Sequence, residues 1–264
     1  MTLNFSDSLS SSIETNILKR YNFLKSKILP PPCFQKSNLE MLKAVAVSDG
    51  KLINVFRRAR LARNEGHNAY DELHRIGVLY KEHSRESIPA PGYGMKRKKE
   101  ERGYTVQSKI KFVHPFHRFW YTFVEPHAKE IEMGEFQHFF EDMTNSFDRY
   151  VSFTFEDLSN ALIKHTFERS DPVSEKGNYW DRHNEFDLMA KTETDRMIVG
   201  ECKWKGHKVC KSQVSKLKLK CERSGLKPDF LALFSKSGFS NELKSSGDPN
   251  LLCFDLNDFE RLLA

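Results

Sequence analysis

Three kinds of segment are missing from this sequence, and each absence argues against one class of protein. No G-x-x-x-x-G-K-[ST] loop occurs among its 264 residues, so the chain does not carry its own P-loop ATPase. No apolar run reaches the roughly 20 residues that a membrane-spanning helix needs. The first residues, MTLNFSDSLSSSIET, lack the basic and apolar regions of a secretory signal. We therefore expect a cytoplasmic protein with no membrane partner.

Cysteine is also scarce, with five residues in the chain, so we expect reduced thiols and no disulfide framework. Cys202, His207 and Cys210 are too irregularly spaced for the paired knuckles of a structural zinc site. The sequence does contain 39% hydrophobic residues and 21 phenylalanines, enough to fill one large or two ordinary domains. The net charge of +6 favours a polyanionic partner.

The segment from Asn184 to Trp204, NEFDLMAKTETDRMIVGECKW, organises the second half of the chain. Two apolar runs flank the polar stretch 191–196, which predicts two strands joined by a turn. Because side chains alternate along a strand, Glu185 and Asp187 would share one face, and so would Glu201 and Lys203. Cys202 would point the opposite way, into the core.

If the two strands pair, three carboxylates and one ammonium group converge on a small patch. Carboxylates at such short range repel one another, and a hard divalent cation such as Mg²⁺ or Mn²⁺ would relieve the conflict. The chemistry indicated is metal-assisted hydrolysis of a phosphodiester, with Lys203 orienting water or stabilising the transition state. The alternative is a solvated salt bridge between Glu201 and Lys203 with no catalytic role.

An acidic residue, a hairpin and then E-x-K resemble the layout of the PD-(D/E)xK nuclease superfamily. The resemblance implies that Asp187 and Glu201 are metal ligands and that Lys203 is catalytic. Glu185, on the same strand face as Asp187, would assist. The resemblance also implies a further acid from the preceding helix, where FTFEDLSNALI places Glu156. A helix that follows E-x-K can present polar residues to DNA in this superfamily, which makes Gln213 a candidate.

A longer stretch resembles a narrower family. PFHRFWYTFV, then GNYWDRHNEFDLMA and IVGECKWK, look like a domain of unknown function at the C-terminal end of archaeal-type P-loop ATPases, preceded there by a winged helix. This chain departs from that pattern because it lacks the ATPase. It also has His114 where those proteins usually have aspartate.

The expected fold is α+β or α/β, in four segments. Residues 1–35 form a helical lead, 36–113 a winged helix-turn-helix, 114–150 an aromatic helical connector, and 151–264 a restriction-endonuclease-like mixed sheet flanked by helices. Within the second segment the pattern predicts helices from Leu39, over 52–59 and over 68–76, with a turn at 64–66.

A basic loop joins the two strands predicted in the winged segment. Its phosphate-contacting residues would be Lys96, Arg97, Lys98 and Lys99. The alternative is that the winged helix mediates protein contacts and that this run is a solvated charged stretch.

These patterns predict a metal-dependent nuclease that acts on DNA. A second hypothesis is a catalytically silent DNA-binding or regulatory module that partners a separately encoded ATPase, and a third is a toxin-like or defence effector. Homodimerisation, and the choice between DNA and RNA, remain open on the sequence.

Overall fold

The computed structural model describes residues 8–28, 30–86, 106–181 and 183–263. The chain divides into two compact units, the first formed by residues 1–83 and 107–147 and the second by residues 84–106 and 148–264. None of the helices in the described ranges is long and apolar enough to cross a membrane. The predicted basic loop with Lys96, Arg97, Lys98 and Lys99 lies outside the described residues.

The first unit is mainly helical. Its helices and strands, in chain order, are α1 Leu9–Asn16, α2 Tyr21–Ile28, α3 Lys36–Ala46, α4 Leu52–Ala59, α5 Arg63–Arg75, β1 Leu79–Glu82, β2 Lys109–Phe112, α6 Pro115–Phe119, α7 Ala128–Glu132 and the first part of α8 Gln137–Phe167. Large buried side chains such as Met41, Leu73, Trp120 and Phe139 form its core. The aromatic stretch is therefore structural, as its helical spacing predicted.

Three helices followed by a pair of strands form the centre of this unit. β1 and β2 are antiparallel, with Leu79 opposite Phe112, and Lys51 forms a further antiparallel bridge to Lys109. The predicted order of helix, helix, helix, strand, strand is thus observed in the described residues.

The predicted turn at 64–66 is wrong, because these residues form the first turn of α5. Gly66 is buried against α4, and a Cβ atom there would lie 2.7 Å from the ring of Phe56. The glycine therefore allows two helices to approach closely and does not mark a turn.

The second unit contains a five-stranded mixed sheet. After the remainder of α8 come β3 Val173–Trp180, β4 Glu185–Thr192, β5 Met197–Lys203, α9 Lys211–Arg223, β6 Phe230–Ser235, α10 Asn241–Lys244, β7 Leu251–Asp255 and a 3₁₀ segment Leu256–Leu262. The strands lie in sequence order, with β3, β4 and β5 antiparallel and β5, β6 and β7 parallel. The predicted hairpin is confirmed as β4 and β5.

The helix α8 is longer than predicted. The spacing of apolar residues predicts two helices, over 135–147 and over 153–165, whereas one helix runs over Gln137–Phe167. The predicted division at residue 150 therefore falls inside a helix, because no proline or glycine interrupts the chain there.

Both faces of the sheet are covered. On one face, Phe155, Leu162 and Ile163 of α8 pack with Leu188, Ile198 and Phe234. On the other face, Val214, Leu217 and Cys221 of α9 pack with Met189, Val199 and Leu233. Gly200 lies between these layers, and a Cβ there would come within 3.2 Å of the Ala232 carbonyl and the Leu188 side chain.

A buried carboxylate holds the turn between β4 and β5. Asp171 accepts hydrogen bonds from the Thr194 amide (3.1 Å), the Thr194 hydroxyl (2.6 Å) and Nε of Arg196 (2.8 Å). Burial opposes ionisation of Asp171, but the donors of Thr192, Thr194 and Arg196 outweigh it and hold its pKa well below the ordinary value.

We predict that Asp171→Asn lowers the melting temperature by several degrees at pH 7. Because its pKa is lower in the folded state, Asp171 stabilises the fold above its ordinary pKa of about 4, and this contribution is lost as the pH falls. The difference from wild type should therefore shrink at about pH 3.5. Asp195→Asn is the matched control, since Asp195 is exposed in the same turn and pairs only with Lys191 at 3.2 Å. Equal effects of the two substitutions would contradict the prediction.

Candidate active site

A β-bulge in β4 positions Asp187. Gly177 of β3 pairs with Met189, and Tyr179 pairs with Phe186, so β4 has one extra residue between these pairs. Phe186 and Met189 accordingly pack on the α9 side, whereas Leu188 packs on the α8 side. The regular alternation of side chains that the sequence predicts for β4 is therefore interrupted between Phe186 and Met189, where Asp187 lies.

The carboxylate of Asp187 reaches across to β5. The pairing of β4 with β5 extends to Leu188 opposite Gly200, and beyond that point the Cys202 amide donates to Oδ2 of Asp187 at 2.8 Å. The side-chain amide of Asn160, on α8, donates to the Asp187 carbonyl at 3.2 Å. Asp187 is thus fixed from both its backbone and its side chain.

Glu201 receives two ammonium groups. Nζ of Lys203 lies 2.7 Å from Oε1, and Nζ of Lys220, on α9, lies 2.7 Å from Oε2. Lys220 also lies 5.0 Å from the centre of the Phe186 ring. The side chains of Glu201, Lys203 and Lys220 are 17%, 22% and 28% exposed, so all three are reachable from solvent.

The two carboxylates share one electrostatic environment. Burial, followed by repulsion from Glu201, raises the pKa of Asp187 to about 6. The Cys202 amide and the charges of Lys203 and Lys220 act in the opposite direction. At neutral pH Asp187 is therefore ionised at a cost in free energy, which is typical of a functional site.

Glu156 lies near the same point from the α8 side. Burial, and then the charges of Asp187, Glu156 and Glu201, raise the pKa of the Cys202 thiol, against a hydrogen bond with Ser159. Cys202 packs among the apolar residues facing α8, as the alternation along β5 predicted. Three of the four predicted acids therefore act electrostatically on one cysteine.

The other predicted residues lie further along these elements. Glu185 is the first residue of β4, opposite Trp180. Trp180 is buried, which favours packing over base stacking. Gln213 is half-buried in the first turn of α9, seven residues before Lys220 and so about 10 Å along the helix axis from it.

Lys220 is the site residue that the sequence did not reveal. It lies in a helix with lysines at 211, 216, 218 and 220, and nothing in the local pattern distinguishes it. One signal was available: Lys220 lies three residues after Leu217 and next to Cys221, and both of these face the sheet.

Few side chains in this site could bind a cation. In the described ranges, no group of three or more His, Cys, Asp or Glu side chains is placed to hold a metal ion. The carboxylates of Asp187 and Glu201 are the pair that the sheet brings together, with two ammonium groups beside them.

The chain is similar to known proteins, but these similarities do not indicate a function. The DUF234 family, described as archaeal and bacterial proteins of unknown function, matches residues 120–216, a span that contains Asp187, Glu201 and Lys203. No curated protein matches the chain. Among solved structures, protein VC1899 from Vibrio cholerae aligns with 89% of this chain at 12% identity and a TM-score of 0.34. The chain spans 55% of that protein's length.

We predict that Asp187→Asn stabilises the protein at pH 8 by about 1–3 kcal/mol, because it removes a carboxylate whose pKa is raised in the folded state. A raised pKa makes ionised Asp187 destabilising above its ordinary pKa of about 4, and the full cost is present only above about pH 6. The gain should therefore diminish towards pH 5. Chemical denaturation at the two pH values measures it, and a loss of stability at pH 8 would contradict the prediction. The pH trend is opposite to the one expected for Asp171→Asn.

Proposed function

We propose that the second unit is a divalent-metal-dependent nuclease of the restriction-endonuclease-like type, which hydrolyses phosphodiester bonds in DNA. The observation that carries the proposal is the convergence of Asp187, Glu201, Lys203 and Lys220 at the edge where β4 and β5 separate. The helix α8 before the hairpin, the hairpin β4–β5 that ends in E-x-K and the helix α9 after it support the proposal, since the PD-(D/E)xK resemblance implies that order.

The residues present fit a hydrated Mg²⁺ or Mn²⁺. Asp187 and Glu201 would hold it, with Glu156 as the further acid implied by the resemblance and Glu185 assisting. Mg²⁺ is commonly bound by one or two carboxylates together with water and substrate phosphate, so two protein ligands suffice. Asn160, 8% exposed, adds a buried Oδ1 atom with no hydrogen-bond partner among the described residues. The ion would polarise the phosphodiester and lower the pKa of water.

The two lysines share one task in this proposal. Two carboxylates and two ammonium groups leave the four side chains with no net charge. Lys203 and Lys220, released from Glu201, would each donate hydrogen bonds to phosphate oxygens and stabilise the negative charge of the transition state. Both ammonium groups already lie 2.7 Å from the carboxylate oxygens of Glu201, so the two lysine side chains need little reorganisation.

Residues 36–113 are proposed to form a winged helix. Its three helices, the β1–β2 pair and the extra bridge between Lys51 and Lys109 support that assignment.

A second candidate function is the catalytically silent DNA-binding or regulatory module, which would work with a separately encoded ATPase. It is favoured by the occupation of both oxygens of Glu201 by ammonium groups at 2.7 Å. In that case DNA binding would need no metal and would survive Asp187→Ala.

We predict that purified protein cleaves DNA in Mn²⁺ or Mg²⁺, and that Asp187→Asn and Lys203→Ala each reduce the rate by about 10²–10³-fold. A gel assay on supercoiled plasmid and on short labelled duplexes measures this. EDTA should abolish the activity. If excess Mn²⁺ produces no cleavage of any form of DNA or RNA, the nuclease proposal is wrong.

The proposal also predicts a difference between two lysines of α9. Lys220→Ala should lower the cleavage rate by about 10-fold or more, because it removes a donor next to Glu201. Lys218→Ala, the same substitution at an exposed position two residues away, should leave the rate unchanged. Equal rates for the two variants would remove Lys220 from the site.

A further inference from the structure

Four arginines surround the connection between α4 and α5. Arg57 and Arg58 lie in the last turn of α4, Arg60 caps it, and Arg63 is the first residue of α5. All four are exposed. We call this group the arginine corner. With Glu65 as the only acid over residues 57–65, the four arginines give the stretch a net charge of +3.

The described residues do not neutralise the charge of the corner. Nη2 of Arg57 donates to Oδ1 of Asn54 at 3.1 Å, and Nδ2 of Asn54 donates to Oδ2 of Asp49 at 2.9 Å. Arg57 is thus oriented by a neutral amide, and its charge stays uncompensated. The other three guanidinium groups, of Arg58, Arg60 and Arg63, make no ion pair with any carboxylate of the described residues.

Arg60 occupies a position that favours glycine. Its φ of 55° and ψ of 34° lie in the left-handed region, as the cap of α4. Glycine is the usual residue there, and a side chain with a Cβ atom is strained. Strain that a structure retains is most often associated with function.

The start of α5 adds to the positive potential. Ala62 occupies its N-cap, and no side chain caps the helix. The first amides of α5 therefore point out beside Arg60 and Arg63, where an anion would satisfy them.

The outer face of α5 is different. Its side chains at helical spacing carry no net charge, because the acid Asp71 balances the base Arg75. The four residues are Asn64, Asn68, Asp71 and Arg75. A polyanion would therefore be attracted to the corner and not to this face.

We propose that the arginine corner binds the phosphodiester backbone of a nucleic acid. Guanidinium groups fit phosphate oxygens in a bidentate manner, and a chain of phosphates matches several of them along one edge. The inference goes beyond the proposed nuclease and does not depend on its chemistry, because the corner lies in the first unit and binding there needs no metal.

The test measures binding of the full chain to a fluorescein-labelled mixed-sequence duplex DNA of about 25 base pairs by anisotropy, in EDTA. Arg58→Gln, Arg60→Gly and Arg63→Gln should each weaken binding several-fold at low salt. Each should also reduce the slope of log Kd against log salt by about 1, and the triple variant by about 3.

Arg60→Gly separates binding from folding. It should raise the melting temperature by about 2–4 °C, because glycine relieves the left-handed strain, while it weakens DNA binding. Lys43→Gln is the matched control, since it removes one charge in the same unit at a lysine 3.9 Å from Glu40, and it should bind DNA as wild type does.

Three results would overturn the inference. One is the absence of duplex binding by the wild type at about 50 mM salt. Another is wild-type affinity of the triple variant, particularly if Arg75→Gln weakens binding instead. The last is competition by a polyglutamate peptide as strong as that by unlabelled DNA, which would assign the corner to an acidic protein. Because binding is measured in EDTA, duplex binding that depends on the corner together with no cleavage in Mn²⁺ would contradict the nuclease proposal alone.

Discussion

The repulsion between Asp187 and Glu201 is the interaction on which the candidate site depends. The fold brings these carboxylates together where β4 and β5 separate, buries one of them and offers Lys203 and Lys220 to the other. Hydrophobic packing of α8 and α9 on the two faces of the sheet must supply the free energy that this placement costs. A protein with no use for the pair would gain stability by losing it.

Asp171 and Asp187 show two environments for a carboxylate that contacts the β4–β5 hairpin. Asp171 accepts bonds from Thr194 and Arg196, so ionisation favours the fold. Asp187 accepts one backbone bond and faces another carboxylate, so ionisation opposes the fold. The contrast separates a structural acid from a candidate functional one without reference to any relative, because it rests on the direction of each pKa change.

Much of this arrangement was predictable from the sequence, for reasons that also explain the failures. Apolar periodicity predicted the hairpin, the buried strands and the side of Cys202, because these depend on neighbours one or two residues away. The bulge at Asp187 depends on β3, and the role of Lys220 depends on a helix that folds back over the sheet. Gly66 was assigned to a turn because only the position of Phe56 reveals why glycine is there.

The extra residue in β4 has a consequence for how such a site can change over evolution. Deleting one residue between Phe186 and Met189 would remove this register shift with β3 and redirect the carboxylate that now accepts a hydrogen bond from the Cys202 amide. The site can therefore be lost through a one-residue deletion that leaves Glu201, Lys203 and Lys220 unchanged in the sequence.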